Sequence, residues 1–292
     1  MNFLANKKAI LVFLSITFLA SVLIYITRDR SFEQIKRNEV IRIGYAVEPP
    51  YAMVDKNGDV TGESPEIAKR ICAELGIKKI EWFQTDFNSL IPQLISGRFD
   101  VIAAGMFITK ERTKKINFSE PTFHVKQALL VLEGNPKELF SYQIGSMHNI
   151  KYVVIKGSIE EMILLKNGVF EEQLIRVPDA VSGKAALESG LVDGVALSQP
   201  AITQMAAAIG LGKAEIVKNF EQPPIDPDEK MGYGAFGFRT NDLELLDRWN
   251  AVLNKFIGSN QHLKILNAFG LTKDELPGNI SKKEIILKNE NK

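Results

Sequence analysis

An amphipathic stretch with Leu90, Ile91, Leu94 and Ile95 at spacings of one, three and four residues stops at Gly97, and an uncharged apolar run, Val101-Ile102-Ala103-Ala104, follows almost at once. The first pattern is that of a helix with one apolar face, and the second that of a strand covered on both faces. Such a strand needs helices above and below it, so this short passage commits the chain to a layered α/β architecture. The chain then turns at Gly105, and Phe107, Thr109 and Arg112 follow. That is where small ligands collect in open α/β sheets, beyond the carboxyl end of a strand. Arg112 offers a planar fork of donors suited to a carboxylate, and Phe107 offers a π face suited to a cation.

The same alternation runs along the chain. Strands are expected at 40–45, 79–83 and 100–104, with helices at 65–75 and 87–96 between them. A strand at 127–132 leads to the turn cluster Gly134-Asn135-Pro136. A second series follows, with strands at 152–155, 174–177, 193–197 and 215–217 and helices at 159–166, 179–189 and 200–208. Asp179 is the expected N-cap of the middle helix. The proline-rich loop 222–227 interrupts the pattern, and a strand at 233–238 and helices at 242–257 and 262–269 complete it. Residues 29–39 read as a polar linker, and the lysine-rich stretch after Pro277 reads as a disordered tail.

Composition removes several function classes. Net charge is +1 and the basic residues fall in scattered pairs, which excludes a nucleic-acid stripe. The three histidines, His124, His148 and His262, are too far apart to suggest a metal site. The lone Cys72 sits at a core-facing position of its helix and allows no disulfide within the chain. GYGAFG at 232–237 satisfies G-x-G-x-x-G, but it runs into Phe238-Arg239-Thr240 instead of opening a helix, so it reads as a glycine-rich crossing strand rather than a nucleotide fingerprint. The 19 uncharged residues from Ala9 to Thr27 are long enough to span a bilayer, and no small-x-small cleavage site closes them. They read as an uncleaved anchor in preference to a removed signal.

The order SLIPQLISGRFDVIAAGM, then T-x-E-R, then FSEP resembles the first lobe of periplasmic solute-binding proteins of bacterial ABC importers, in the family that binds amino acids and related zwitterions (family 3). AVEPPYA, TGESPEIA, DVIAAGMFIT and MGYGAFGFR are most similar to its ectoine- and hydroxyectoine-binding branch. The resemblance runs from about Ile41 to about Pro277. It implies a two-lobe type II periplasmic-binding-protein fold, each lobe a mostly parallel sheet flanked by helices, with two crossing strands as hinge. The implied division is 1–30 signal or anchor, 38–131 plus 231–277 first lobe, 132–230 second lobe, and 278–292 tail. The implied function is capture of a small zwitterionic compatible solute outside the cytoplasm, in the periplasm, for ABC permease subunits in the inner membrane. No cofactor, metal or catalysis is implied.

The resemblance carries Glu48 over as the acidic partner of the ligand's cationic ring, Tyr51, Phe87 and Phe107 as aromatic walls, and Arg112 as the carboxylate clamp. Thr109 belongs to the same first-lobe loop. From the second lobe, Gly157 and Ser158 open a helix directly after a strand, so their backbone N–H groups either meet the ligand carboxylate or form an ordinary N-cap. Ser198 falls where amino-acid binders of the family usually carry an aspartate for the α-ammonium, and Lys126 where they usually carry glycine. The missing aspartate argues against an ordinary α-amino acid. Two rivals stay open: a polar amino-acid binder, and a cyclic-acid dehydratase on the same fold using Glu48 as acid or base.

Overall fold

The computed structural model describes residues 31–143, 150–223 and 232–290. The apolar segment 9–27 and most of the loop 222–227 lie outside these residues. No helix among the described residues is long and apolar enough to cross a membrane.

The strands in chain order are β1 (Val40–Tyr45), β2 (Met53–Val54), β3 (Val60–Thr61), β4 (Lys79–Gln84), β5 (Val101–Phe107), β6 (Asn117–Phe118), β7 (Phe123–Val125), β8 (Gln127–Leu132), β9 (Tyr152–Ile155), β10 (Leu174–Val177), β11 (Gly194–Ser198), β12 (Ala214–Ile216) and β13 (Gly232–Phe238). They form two principal sheets. One has the order β4-β1-β5-β13-β6, with β7 also on β13, and the other β10-β9-β11-β8-β12. In each, three strands joined through helices are parallel, one strand (β13 in the first sheet, β8 in the second) runs antiparallel to them, and the outer strands β6, β7 and β12 pair antiparallel with that one. Each sheet is therefore mixed in its pairing around a parallel core of three strands. The antiparallel strands include those on which the chain arrives from the other half, and these enter without a crossover helix.

β8 corrects the expected boundary. The expected division assigns it to the first lobe, but it pairs with β11 and β12 in the second sheet. The chain thus leaves the first sheet between Val125 and Gln127 and returns to it at Gly232. Alternation on β5 explains how one strand serves two cores. Val101 and Ala103 pack with Ile41, Ile67, Trp249 and Leu253 on one face, while Ile102, Ala104 and Met106 join the core on the other. Cys72 is buried in the first of these, as its helical position predicts.

Two segments read as irregular are helical. Ser31–Asn38 forms a helix whose Ile35 is buried, and the Arg248 guanidinium lies over its Phe32 ring. Its Lys36 Nζ donates to the carbonyls of Leu75 and Gly76, at the carboxyl end of the helix Glu63–Glu74, where a cation is favoured. The supposed tail contains the helix Lys282–Glu290. Its Ile285 is 1% exposed, the Lys282 N–H donates to Glu120 Oε2, and Lys282 Nζ donates to the Phe118 carbonyl. Polar composition concealed a few apolar residues, Ile280, Ile285 and Ile286, which find their partners only in the folded chain.

Candidate functional site

The parallel strands of both sheets direct their carboxyl ends to one interface. β1 leads to Glu48 and Tyr51, β4 to Phe87, β5 to Thr109 and Arg112, β9 to Gly157 and Ser158, and β11 ends at Ser198. The turn after β1 is closed by Tyr51 N–H donating to the Glu48 carbonyl and by a bridge between Glu48 and Ala52, around a cis Pro49–Pro50 bond. Tyr51 is 1% exposed and stacks on Phe123 with centroids 4.8 Å apart. Phe107 meets the same Phe123 edge-on at 6.2 Å.

Glycines make this aromatic layer possible. A Cβ at Gly232 would lie 2.3 Å from the Phe107 ring, one at Gly234 would lie 2.1 Å from Phe123, and one at Gly105 would lie 2.6 Å from Tyr51. The glycine spacing of β13 is thus a packing device for rings, in agreement with its reading as a strand where neighbours approach closely.

Arg112 joins the two halves. Its guanidinium donates to the Phe107 carbonyl at 2.8 Å and to the Gly157 carbonyl at 3.0 Å, and stands 5.4 Å above the Phe87 ring. Thr109 serves it indirectly, because its hydroxyl accepts the Arg112 backbone N–H and caps the short helix Lys110–Thr113. Two further bonds cross between the halves. The Tyr51 hydroxyl shares a 2.7 Å bond with Ser198 Oγ, and the Ala180 N–H donates to the Val47 carbonyl at 3.4 Å. Gly157 has φ near +78°, and a Cβ there would come 3.0 Å from Asn88 Cβ, so both its conformation and the closeness of the halves call for glycine.

The backbone donors expected of Gly157 and Ser158 are occupied within the protein. Gly157 N–H donates to Glu161 Oε2 at 2.7 Å, and Ser158 N–H to the Ile155 carbonyl. Ser158 Oγ accepts the Glu161 N–H, so the N-cap alternative is the one observed. Lys126 is exposed.

Sequence reasoning missed three residues. Phe123 completes the aromatic layer. Glu160, 4% exposed, is held by the Ser158 hydroxyl and its own backbone N–H. Gln127 lies opposite Ser198 in the β8–β11 register and is 1% exposed. Neither Glu160 nor Gln127 carries a signal in the sequence, since a glutamate in the first turn of a helix and a glutamine at the start of a strand are ordinary there. Only the folded chain buries them.

The charges at this interface interact. Although part of the Glu48 residue reaches solvent, desolvation of its carboxyl, followed by repulsion from Glu160, lifts its pKa to about 8 against an opposing pull from Arg112. Desolvation also raises the pKa of Glu160, and it lowers that of Arg112 to about 10 while both acids act to restore it. Beside Arg112, a cavity of about 650 Å³ opens between the halves, lined by Phe87, Thr109, Arg112, Gly157 and Ser158 with Ile91, Met106, Ile159 and Met162. Its mostly apolar wall with a few convergent polar groups suits a small organic ion.

Fold and interface together are those of a solute-binding protein of the type II periplasmic class, and residues 41–272 match the bacterial extracellular solute-binding proteins, family 3, to which this chain belongs. Relatives of this chain include proteins named for binding amino acids, among them an L-arginine-binding protein of Pseudomonas aeruginosa, 23% identical over 78% of this chain and 87% of its own length. Among its relatives is a probable amino-acid ABC transporter periplasmic-binding protein of Sinorhizobium fredii, 31% identical over 82% of this chain and 80% of that protein. The lysine/arginine/ornithine-binding periplasmic protein of Escherichia coli is 26% identical over 74% of this chain and 82% of its own length. Among solved structures, EhuB in complex with hydroxyectoine superposes with a TM-score of 0.82 at 28% identity, covering 89% of this chain and 99% of that one.

Proposed function

We propose that this solute-binding protein captures a small zwitterion of the ectoine or polar amino-acid class and presents it to ABC permease subunits. Arg112 takes the carboxylate, Glu48 the cationic group, and Tyr51, Phe87 and Phe107 the apolar surface of the solute. The halves, divided at residues 125–127 and between β12 and β13, close over it. The observation that carries this reading is Arg112 itself, a half-buried guanidinium over an aromatic ring that already reaches from one half to a carbonyl of the other. A planar donor fork so placed binds a carboxylate and rewards closure in one step. The similarity to EhuB with hydroxyectoine favours a compatible solute, and the relatives named for basic amino acids favour the second class. Retention at the membrane by segment 9–27 is part of the proposal and rests on the sequence alone.

Calorimetry on the full chain with hydroxyectoine, arginine and glutamine tests the site. Arg112→Ala is expected to weaken whichever solute binds by about tenfold or more, because a hydrogen bond to a charged group contributes about 1.5–3 kcal/mol. Unchanged affinity removes Arg112 from the site.

A further inference from the structure

Glu160 and Gln127 have no part in that assignment, yet both are buried at the same interface. Glu160 comes from the first turn of the helix Ile159–Lys166, and Gln127 from the start of β8. The Gln127 amide lies beside the Glu160 carboxyl and favours its ionised form. Even so, neither amide atom completes a full hydrogen bond with a protein group among the described residues. A buried amide with free donor and acceptor capacity beside a buried carboxylate is costly unless something polar meets it.

The sequence placed no acid in the second half of the site, because Ser198 stands where an aspartate is usual. The structure supplies one from a different element. Ser198 is taken up by the Tyr51 hydroxyl, and the neighbouring position across the ladder, Gln127, points to Glu160. Two carboxyls, Glu48 and Glu160, therefore face one guanidinium, Arg112.

From this geometry we infer that Glu160, with Gln127 beside it, is a specificity-determining cation contact, and that the solute carries a net positive charge: a carboxylate for Arg112 and two cationic groups, one for each glutamate. The inference rests on the reading of this interface as the solute site. A neutral zwitterion brings one cationic group for two carboxyls and leaves one of them without a cation, whereas a basic α-amino acid or a comparable diamino acid supplies one to each. It also restores an ammonium partner that the Ser198 position lacks.

Protons follow the charge. The groups acting on Glu48 are Glu160 and Arg112, and the neutral Tyr51 phenol lies in the same turn. A second cation arriving beside Glu48 favours its ionised form, so binding of a basic solute releases a proton near neutral pH, and binding of a neutral zwitterion releases less.

The test is calorimetry on the full chain with L-arginine, L-lysine, L-glutamine and hydroxyectoine, near neutral pH, in two buffers of different ionisation enthalpy. The wild type is expected to bind the basic pair at least about tenfold more tightly than the neutral pair. Glu160→Gln is expected to remove at least about tenfold of affinity for the basic pair and to change affinity for the neutral pair by less than about threefold. A thermal melt establishes that this near-isosteric variant is folded, and the proton count in the wild type reads the same point without any variant. Preference of the wild type for glutamine or hydroxyectoine, or an equal loss for all four solutes in Glu160→Gln, overturns the inference while leaving the site reading intact. Failure of all four to bind, or binding indifferent to Arg112→Ala, overturns the site reading and the inference with it.

Discussion

The bond between Tyr51 and Ser198 separates closure from folding. Tyr51 belongs to the turn after β1 and Ser198 to the end of β11, so their 2.7 Å contact joins the two halves at a point from which water is excluded. When the halves part, both hydroxyls reach water and lose little. Tyr51→Phe removes the phenol and leaves its ring stacked on Phe123, but in the closed form it strands a buried Ser198 hydroxyl. An unpartnered buried polar group costs about 1–3 kcal/mol, and here the cost falls on the closed form alone. Affinity for the solute is therefore expected to fall by about five- to 150-fold, with little change in the melting temperature of the protein without solute. Calorimetry gives the first quantity, and small-angle scattering shows whether the solute still compacts the protein. Ser198→Ala completes a double-mutant cycle, in which the double variant should lose clearly less than the two singles together. Unchanged affinity in Tyr51→Phe would falsify the argument. A melting-temperature drop as large as the affinity loss, without solute, would assign the hydroxyl to the fold instead.

Gly234→Ala should lower stability by about 1–3 kcal/mol in urea unfolding, since its Cβ meets the Phe123 ring at 2.1 Å, whereas Gly183→Ala, with its nearest neighbour at 3.8 Å within a helix, should be neutral or gain up to about 1 kcal/mol. Glu48 and Glu63 are held protonated by burial, at about 8 and about 7 against 4.5 when unfolded. Between those values the folded state binds the extra protons, so their contribution is full at acid pH and is lost as pH rises through the folded values. His262, lowered from 6.5 to about 4 by burial, acts in the opposite sense below 6.5, so the decline is best read from melting temperatures between 6.5 and about 8, and Glu48→Gln and Glu63→Gln should each flatten it. A slope unchanged in both variants contradicts the assignment. Cys72, buried and with its thiol pKa pushed up to about 12, should resist maleimide in the native protein and react once urea unfolds it; rapid native labelling would place it outside the core.

Local pattern alone determined the longer strands and the helices from Val40 to Phe256, though not the short β2, β3, β6 and β7, because apolar periodicity is set by which face an element buries. With the family resemblance it also pointed to the candidate first-half site, because Glu48, Phe87, Phe107 and Arg112 lie at or beyond the ends of strands that converge once those strands are parallel. Tertiary structure decided the rest. β8 reads as the end of the first series but belongs to the second sheet, since an antiparallel partner is chosen by the other half of the chain. The glycines of β13 acquire their purpose only when the rings of Phe107 and Phe123 lie on them. Glu160 and Gln127 come together, and the Tyr51 to Ser198 bond forms, only in the folded chain. Burial and charge balance are sums over neighbours distant in the chain, and no window of sequence contains them.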